Sequence, residues 1–299
     1  MTDYAADNFR GLRAAPPRGT RMLPEGSFAG EVAIVTGGGS GLGKAIASEF
    51  GRLGGAVAIA SRDPDKRARG VAAVEEAGGR ALGVMLDVRD PEAVKGCFDE
   101  VEAAFGPVTQ LVNNAAGNLA GASEDFSLNA WRAVTGIVLD GTWICSTEFA
   151  RRRIADGIGG AILNIGATYS WTGGPGTSPS AAAKAAVTNL TQTLAVEWAP
   201  YDIRVNCLVP GLFPHEDRAE HLRFADKDRS DLDRRQPALR VGQTHELGWA
   251  AAYLCSDYAA FCSGHAFVLD GANWLRRSLR MPEFEPVRTW LPPKRERNG

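Results

Sequence analysis

The stretch EVAIVTGGGSGLGKAIASEFGRLG (31–54) constrains the fold more than any other part of the chain. A short run of apolar, largely β-branched residues breaks into a glycine cluster and then into a helical pattern. A strand that turns through glycine into a helix, and returns to another apolar strand, is a crossover unit of a parallel sheet. The pattern recurs. Strands are predicted at 31–37, 56–62, 81–88, 108–116, 161–166, 203–211 and 265–271, with helices between them at 42–54, 63–78, 90–105, 129–150, 178–198 and 244–255. Strands this apolar are expected to be buried on both faces. The expected fold is therefore α/β, a single Rossmann-like doubly wound parallel sheet of about seven strands with helices on both faces. Its domain is set at 29–273, after an N-terminal surface arm (1–28) and before a C-terminal extension (274–299).

Charge and composition exclude several classes. Against 35 Asp+Glu stand 33 Lys+Arg, so no basic surface for nucleic acid or an anionic membrane is expected. No apolar run approaches the roughly 20 residues of a membrane span, and the start MTDYAADNFRGLRAAPPRGTRML lacks the apolar centre of a secretory signal. The five cysteines show neither CxxC pairing nor a dense framework and are expected to be buried free thiols. His215 and His221 lack the i, i+4 spacing of zinc proteases, and no metal is expected. A cytoplasmic location is expected, with a bacterial source suggested by the Ala, Gly and Arg content and no peroxisomal ending.

TGGGSGLGK (36–44) falls between the first strand and first helix. Glycines there allow a tight turn and bring backbone N–H groups against a pyrophosphate at the positive helix end. Gly37, Ser40, Gly41, Leu42 and Gly43 are thus candidate contacts to a dinucleotide. The second strand ends in Ser61-Arg62, a hydroxyl and a guanidinium suited to a 2′-phosphate, which favours NADPH over NADH. Asp63 is expected to cap the next helix. Asp87 either accepts an adenine amino hydrogen or caps the following turn, and Val88, Asn114 and Ala115 complete this end of the site.

The charged stretch 212–242 is read either as a solvated helix pair or as a substrate lid, because it follows a strand's carboxyl end. Its Arg218, Arg223, Lys227 and Arg229 either meet phosphates or form a solvated face. In the extension, Trp274, Phe284 and Trp290 pack on a neighbouring subunit or belong to a loose tail, and its prolines exclude a regular helix through the second half.

TGGGSGLG, NNAAG (113–117), a lysine on the helix after the fifth strand, and VNCLVPG (205–211) together resemble the short-chain dehydrogenase/reductase family over about residues 30–272. That family uses a serine after the fifth strand and a tyrosine four residues before the lysine to polarise a carbonyl. Here those positions are Ala167 and Ser180, and Val138 replaces the asparagine three residues before Gly141. A serine hydroxyl is far too weak an acid to replace a tyrosine of pKa roughly 10. NNAAGN (113–118), GATY (166–169), SPSAAAK (178–184) and LCSDYA (254–259) are similar to the NADPH-dependent 2,4-dienoyl-CoA reductase branch, which takes its tyrosine from the end of the fifth strand. The resemblance implies that Tyr169 and Asn118 hold a thioester oxygen, that Lys184 holds the nicotinamide ribose, and that Ser180 hydrogen-bonds the cofactor or orients Lys184. Pro210 and Gly211 lie at the nicotinamide end, where LFPHED (212–217) departs from a threonine-bearing loop. It further implies an acyl-CoA substrate in auxiliary fatty-acid β-oxidation, no flavin, and a homotetramer. Two alternatives stand beside it: a reductase of another enoyl or keto substrate, and a non-catalytic NADPH-binding protein.

Overall fold

The computed structural model describes residues 11–215 and 229–275. His221, Arg218, Arg223, Lys227, Phe284 and Trp290, with most of the expected extension and the centre of the expected lid, lie outside the described residues, as does the side chain of Arg229. The strands are β1 (Val32–Thr36), β2 (Ala56–Ala60), β3 (Arg80–Val84), β4 (Gln110–Asn113), β5 (Gly160–Ile165), β6 (Ile203–Pro210) and β7 (Ala266–Leu269). The helices are α1 (Gly41–Arg52), α2 (Pro64–Glu76), α3 (Pro91–Phe105), α4 (Leu128–Thr135), α5 (Gly141–Asp156), α6 (Tyr169–Thr172), α7 (Ser178–Trp198), α8 (Arg229–Arg234) and α9 (Thr244–Cys255).

All adjacent strands pair in parallel, in the order β3-β2-β1-β4-β5-β6-β7. Residues alternate between faces along each strand. Val32 and Ile34 pack with Phe98, Phe149 and Leu194 on one side, while Ala33 and Val35 pack with Ile46, Phe50 and Leu247 on the other. Strand order reverses between β1 and β4, and the crevice outside the carboxyl ends at this switch is where such sheets bind ligands.

Three expectations are corrected. The third strand was expected to be buried on both faces and to run to 88. It ends at Val84 as an edge strand with partly exposed residues, because it has a neighbour on one side alone, and Asp87 lies in the turn beyond it. The helix expected at 129–150 runs on to Asp156 and is interrupted by a π-helical turn at Gly136–Asp140. Gly141 follows that turn, where a Cβ would sit 2.5 Å from Val88 Cγ2, so the absence of a side chain is what lets α5 approach the β3–α3 connection. The amino-terminal segment is not merely a surface arm. Leu12, Arg13, Pro16 and Thr20 exchange hydrogen bonds with Ala238, Arg240, His245 and Trp249, and Leu23 and Phe28 are buried.

Phe28 stacks on Phe50 with ring centroids 4.7 Å apart. Truncating a fully buried aromatic costs about 3–5 kcal/mol. Phe28→Ala is expected to lower the unfolding free energy measured in urea by that amount, whereas Leu12→Ala, at an exposed site, leaves it nearly unchanged.

Candidate active site

A cleft of about 930 Å³ opens at the carboxyl ends of β1, β2, β4, β5 and β6. Its floor is the glycine turn between β1 and α1. Gly37 and Gly41 have φ of 65° and 49°, a region that side chains disfavour. Gly39 is pressed against α2, where a Cβ would fall 2.0 Å from the Lys66 carbonyl oxygen. Ser40 caps α1 without a side-chain hydrogen bond, and the helix has no acid in its first turn. Its positive end therefore faces the cleft uncompensated by a carboxylate of its own, which suits a pyrophosphate. Gly37, Ser40, Gly41 and Leu42 line the cleft. Gly43 does not: it lies against Asn114, whose Nδ2 donates to the carbonyls of Thr36 and Gly37.

At one end of the cleft stand Ser61, Arg62, Asp87 and Val88. Asp63 caps α2 as expected, accepting from the backbone N–H groups of Asp65 and Lys66 at 3.0 Å. Asp87 is engaged more fully than expected. Its Oδ1 accepts from Arg89 Nε (2.9 Å) and the Arg89 backbone (3.1 Å), and its Oδ2 accepts from Arg89 Nη2 (2.5 Å). Arg62 Nη1 lies 3.6 Å from the same Oδ2. The Arg89 hydrogen bond and charge hold the Asp87 carboxyl down to about 2.

The other end is built by α6 and α7. Glycines at 173 and 174 stop α6 after one turn, and Gly173 adopts φ 73°. The chain folds back to α7 so that Tyr169 lies over it, and the Tyr169 hydroxyl sits 3.0 Å from Ser180 Oγ. Ser180 was expected to hydrogen-bond the cofactor or orient Lys184; its side-chain contact in this structure is with the Tyr169 hydroxyl. Lys184 is buried and its ammonium donates to the Ile165 carbonyl at the end of β5. Burial pushes the Lys184 ammonium down to about 8, and pushes the Tyr169 phenol up, with the Ser180 hydrogen bond opposing the latter. Tyr169, Lys184, Ala115, Pro210 and Gly211 line the cleft, with Ala167 among them. Asn118 is not among the residues lining the cleft, and its Oδ1 is buried with no partner among the described residues. Val138 packs against Ala183 and Val187 of α7. Trp274, read as packing on a neighbouring subunit or as part of a loose tail, meets Trp171 of the same chain at 5.2 Å between centroids.

Sequence reasoning missed three participants. Thr36 Oγ1 accepts from the backbone N–H groups of Asn114 and Ala115, joining β1 to the loop after β4. His215 lies over Gly41, within 2.7 Å of where a Cβ would be. Arg89 was passed over because nothing local distinguishes an arginine in a polar turn; its signal is the spacing to Asp87, visible only as an ion pair.

The family model described as "Enoyl-(Acyl carrier protein) reductase" matches residues 37–272. A Bacillus subtilis (strain 168) protein named "Probable 2,4-dienoyl-CoA reductase [(2E)-enoyl-CoA-producing]" is 39% identical over 81% of this chain and 96% of its own length. The "Peroxisomal 2,4-dienoyl-CoA reductase [(3E)-enoyl-CoA-producing]" of Arabidopsis thaliana is 36% identical over 85% of this chain and 88% of its own. Among solved structures, a short chain dehydrogenase from Bacillus anthracis str. 'Ames Ancestor' superposes with a TM-score of 0.75 at 38% identity, covering 83% of this chain and 98% of that one.

The buried Lys184 has a stability signature. Its folded-state pKa, about 8, lies below the ordinary lysine value, so the unfolded chain binds more protons between the two and stability rises with pH there. The nearby Cys207 thiol, raised to about 11 by burial, acts in the opposite sense. Urea titrations are expected to show wild type gaining stability relative to Lys184→Met from about pH 8 upward. A constant difference across that window means that Lys184 is not buried as a charged group.

Proposed function

The chain belongs to the short-chain dehydrogenase/reductase family, and we propose that it reduces trans-2,trans-4-dienoyl-CoA to trans-3-enoyl-CoA with NADPH. It is an oxidoreductase whose fold and relatives imply a nicotinamide cofactor. The observation that carries the narrower reading is the pairing of Tyr169 with Ser180 at 3.0 Å. A phenol from outside the lysine helix comes to the serine that stands four residues before Lys184. The relatives named as dienoyl-CoA reductases support the same reading, as does Arg62 for the 2′-phosphate of NADPH.

The glycine turn and the α1 end would hold the pyrophosphate, Arg62 and Ser61 the 2′-phosphate, and Lys184 the nicotinamide ribose. NADPH, when bound, supplies the hydride to the remote carbon of the diene. The residues then act at the other end of the conjugated system, where charge collects on the thioester oxygen. The Tyr169 hydroxyl donates a hydrogen bond to that oxygen as an oxyanion donor; the Asn118 amide, which does not line the cleft in this structure, is the second donor that the family resemblance implies. Ser180 fixes the phenol by donating to its oxygen along the same 3.0 Å contact, which leaves the phenolic proton for the thioester oxygen, and a positive Lys184 favours the anionic intermediate electrostatically. Protonation of Cα by solvent completes the reaction. No alkoxide is released, so an acid four residues before the lysine is dispensable.

The reading places the protein in auxiliary fatty-acid β-oxidation, with an acyl-CoA substrate. We include a homotetramer in it, as family resemblance suggests. Trp143 and Ile154, exposed by 50% and 38%, share one side of α5 and offer apolar surface for such contacts. Among the described residues no helix is long and apolar enough to cross a membrane.

NADPH oxidation with a dienoyl-CoA, beside a 3-oxoacyl-CoA, tests the reading. Tyr169→Phe is expected to lower kcat by about 10²–10³-fold. Chromatography of the product is expected to show the 3-enoyl thioester. A 2-enoyl product, as the Bacillus subtilis relative's name states for that protein, refutes the proposed regiochemistry. Turnover of the 3-oxo substrate that survives Tyr169→Phe refutes the substrate class.

A further inference from the structure

The cleft end that carries Arg62 contains a carboxylate whose fate decides what that guanidinium can bind. Asp87 has about four lone-pair sites for donors. Three are filled by Arg89: its Nε and backbone N–H on Oδ1, its Nη2 on Oδ2. The fourth is approached by Arg62 at 3.6 Å, longer than any Arg89 contact. Arg62 is more than half exposed at the side chain, and Asp63, the other nearby carboxylate, is turned to the end of α2. Two guanidiniums thus share one carboxylate, and Arg89 holds it bidentately while Arg62 is held loosely.

We propose that Arg89 is a positioning residue for coenzyme choice: by saturating Asp87 it releases Arg62 to a 2′-phosphate. The inference rests on the NADPH reading above. When a 2′-phosphate enters, Arg62 turns from Asp87 to the phosphate, where bidentate donation is the stronger contact. The vacated lone pair on Asp87 Oδ2 becomes the acceptor for a donor on the adenosine, while Arg89 keeps the carboxylate neutralised beside the incoming anion. Without the Arg89 side chain, Asp87 has a single cation to pair with. Arg62 then closes onto Asp87, and drawing it away to a 2′-phosphate would leave the carboxylate uncompensated beside that anion. NADH, lacking the phosphate, loses nothing by this. The Arg89 backbone N–H still donates to Oδ1 in an alanine variant, and the side chain is 42% exposed, so the turn is retained.

Isothermal titration with NADPH and with NADH tests this on wild type, Arg89→Ala, Arg89→Lys and Arg89→Ala combined with Asp87→Asn. Arg89→Ala is expected to weaken NADPH binding by about tenfold and NADH by less than about twofold. Arg89→Lys recovers part of the loss, because a point charge neutralises Asp87 without the fork. The double variant recovers NADPH affinity, since the charge that captured Arg62 is gone. Equal weakening of both coenzymes by Arg89→Ala, or a double variant no better than Arg89→Ala, overturns the inference and leaves Arg89 a structural residue. A wild-type protein that binds NADH more tightly than NADPH is a different failure, because it refutes the coenzyme reading on which the inference stands.

Discussion

Two buried amides join the centre of the sheet to the helices that carry the site. Asn113, the last residue of β4, donates through Nδ2 to Asn164 Oδ1 on β5 and to Ser146 Oγ on α5, both at 2.9 Å. Asn164 donates in turn to Thr191 Oγ1 on α7, also at 2.9 Å, and Thr191 donates to the Val187 carbonyl. All four side chains are buried, so each unmade bond would leave a desolvated polar group, at about 1–3 kcal/mol. An apolar contact tolerates sliding, but this ladder has one geometry. It fixes α7 in register with β5, and that register sets Lys184 against the Ile165 carbonyl and Ser180 beneath Tyr169.

The site then follows from opposed demands on two titratable groups. Lys184 must approach the sheet closely and loses hydration in doing so, which pulls its ammonium down to about 8. Tyr169 is buried as well, and burial favours its neutral form, the one able to donate. A neutral phenol and an ammonium of lowered pKa thus line the same cleft, the pair of donors on which the proposed chemistry rests. Ser180 supplies geometry to it, since its hydroxyl cannot supply acidity.

Much of this was legible beforehand because it is local. The helices at 178–198 and 244–255 have the limits read from the sequence, and Asp63 caps α2 as its proline neighbour implied. The readings that failed concern partners distant in sequence. Residues 81–88 look like a core strand, yet an edge strand has the same apolar content and differs only in lacking a second neighbour. Leu12 to Phe28 look like an arm, since prolines and arginines mask the contacts made with residues over 200 positions away. The π turn at Gly136–Asp140 leaves no trace in periodicity, because one extra residue shifts the pattern by less than a short helix resolves. The contact between Tyr169 and Ser180 went unread rather than misread, because spacing on α7 says nothing about a ring arriving from a separate helix.

The sequence by itself determined the parallel sheet and the glycine turn at its first crossover. Each of these depends on residues close together in the chain or on a repeated period. Only the tertiary structure decided that Tyr169 meets Ser180, that Arg89 and Arg62 share Asp87, and that the amino-terminal segment lies on α9. These pairings depend on where crossovers set down side chains carried by different elements. Hydrogen bonds and ion pairs act over a few ångströms, and a sequence does not state distances between residues that folding alone brings together.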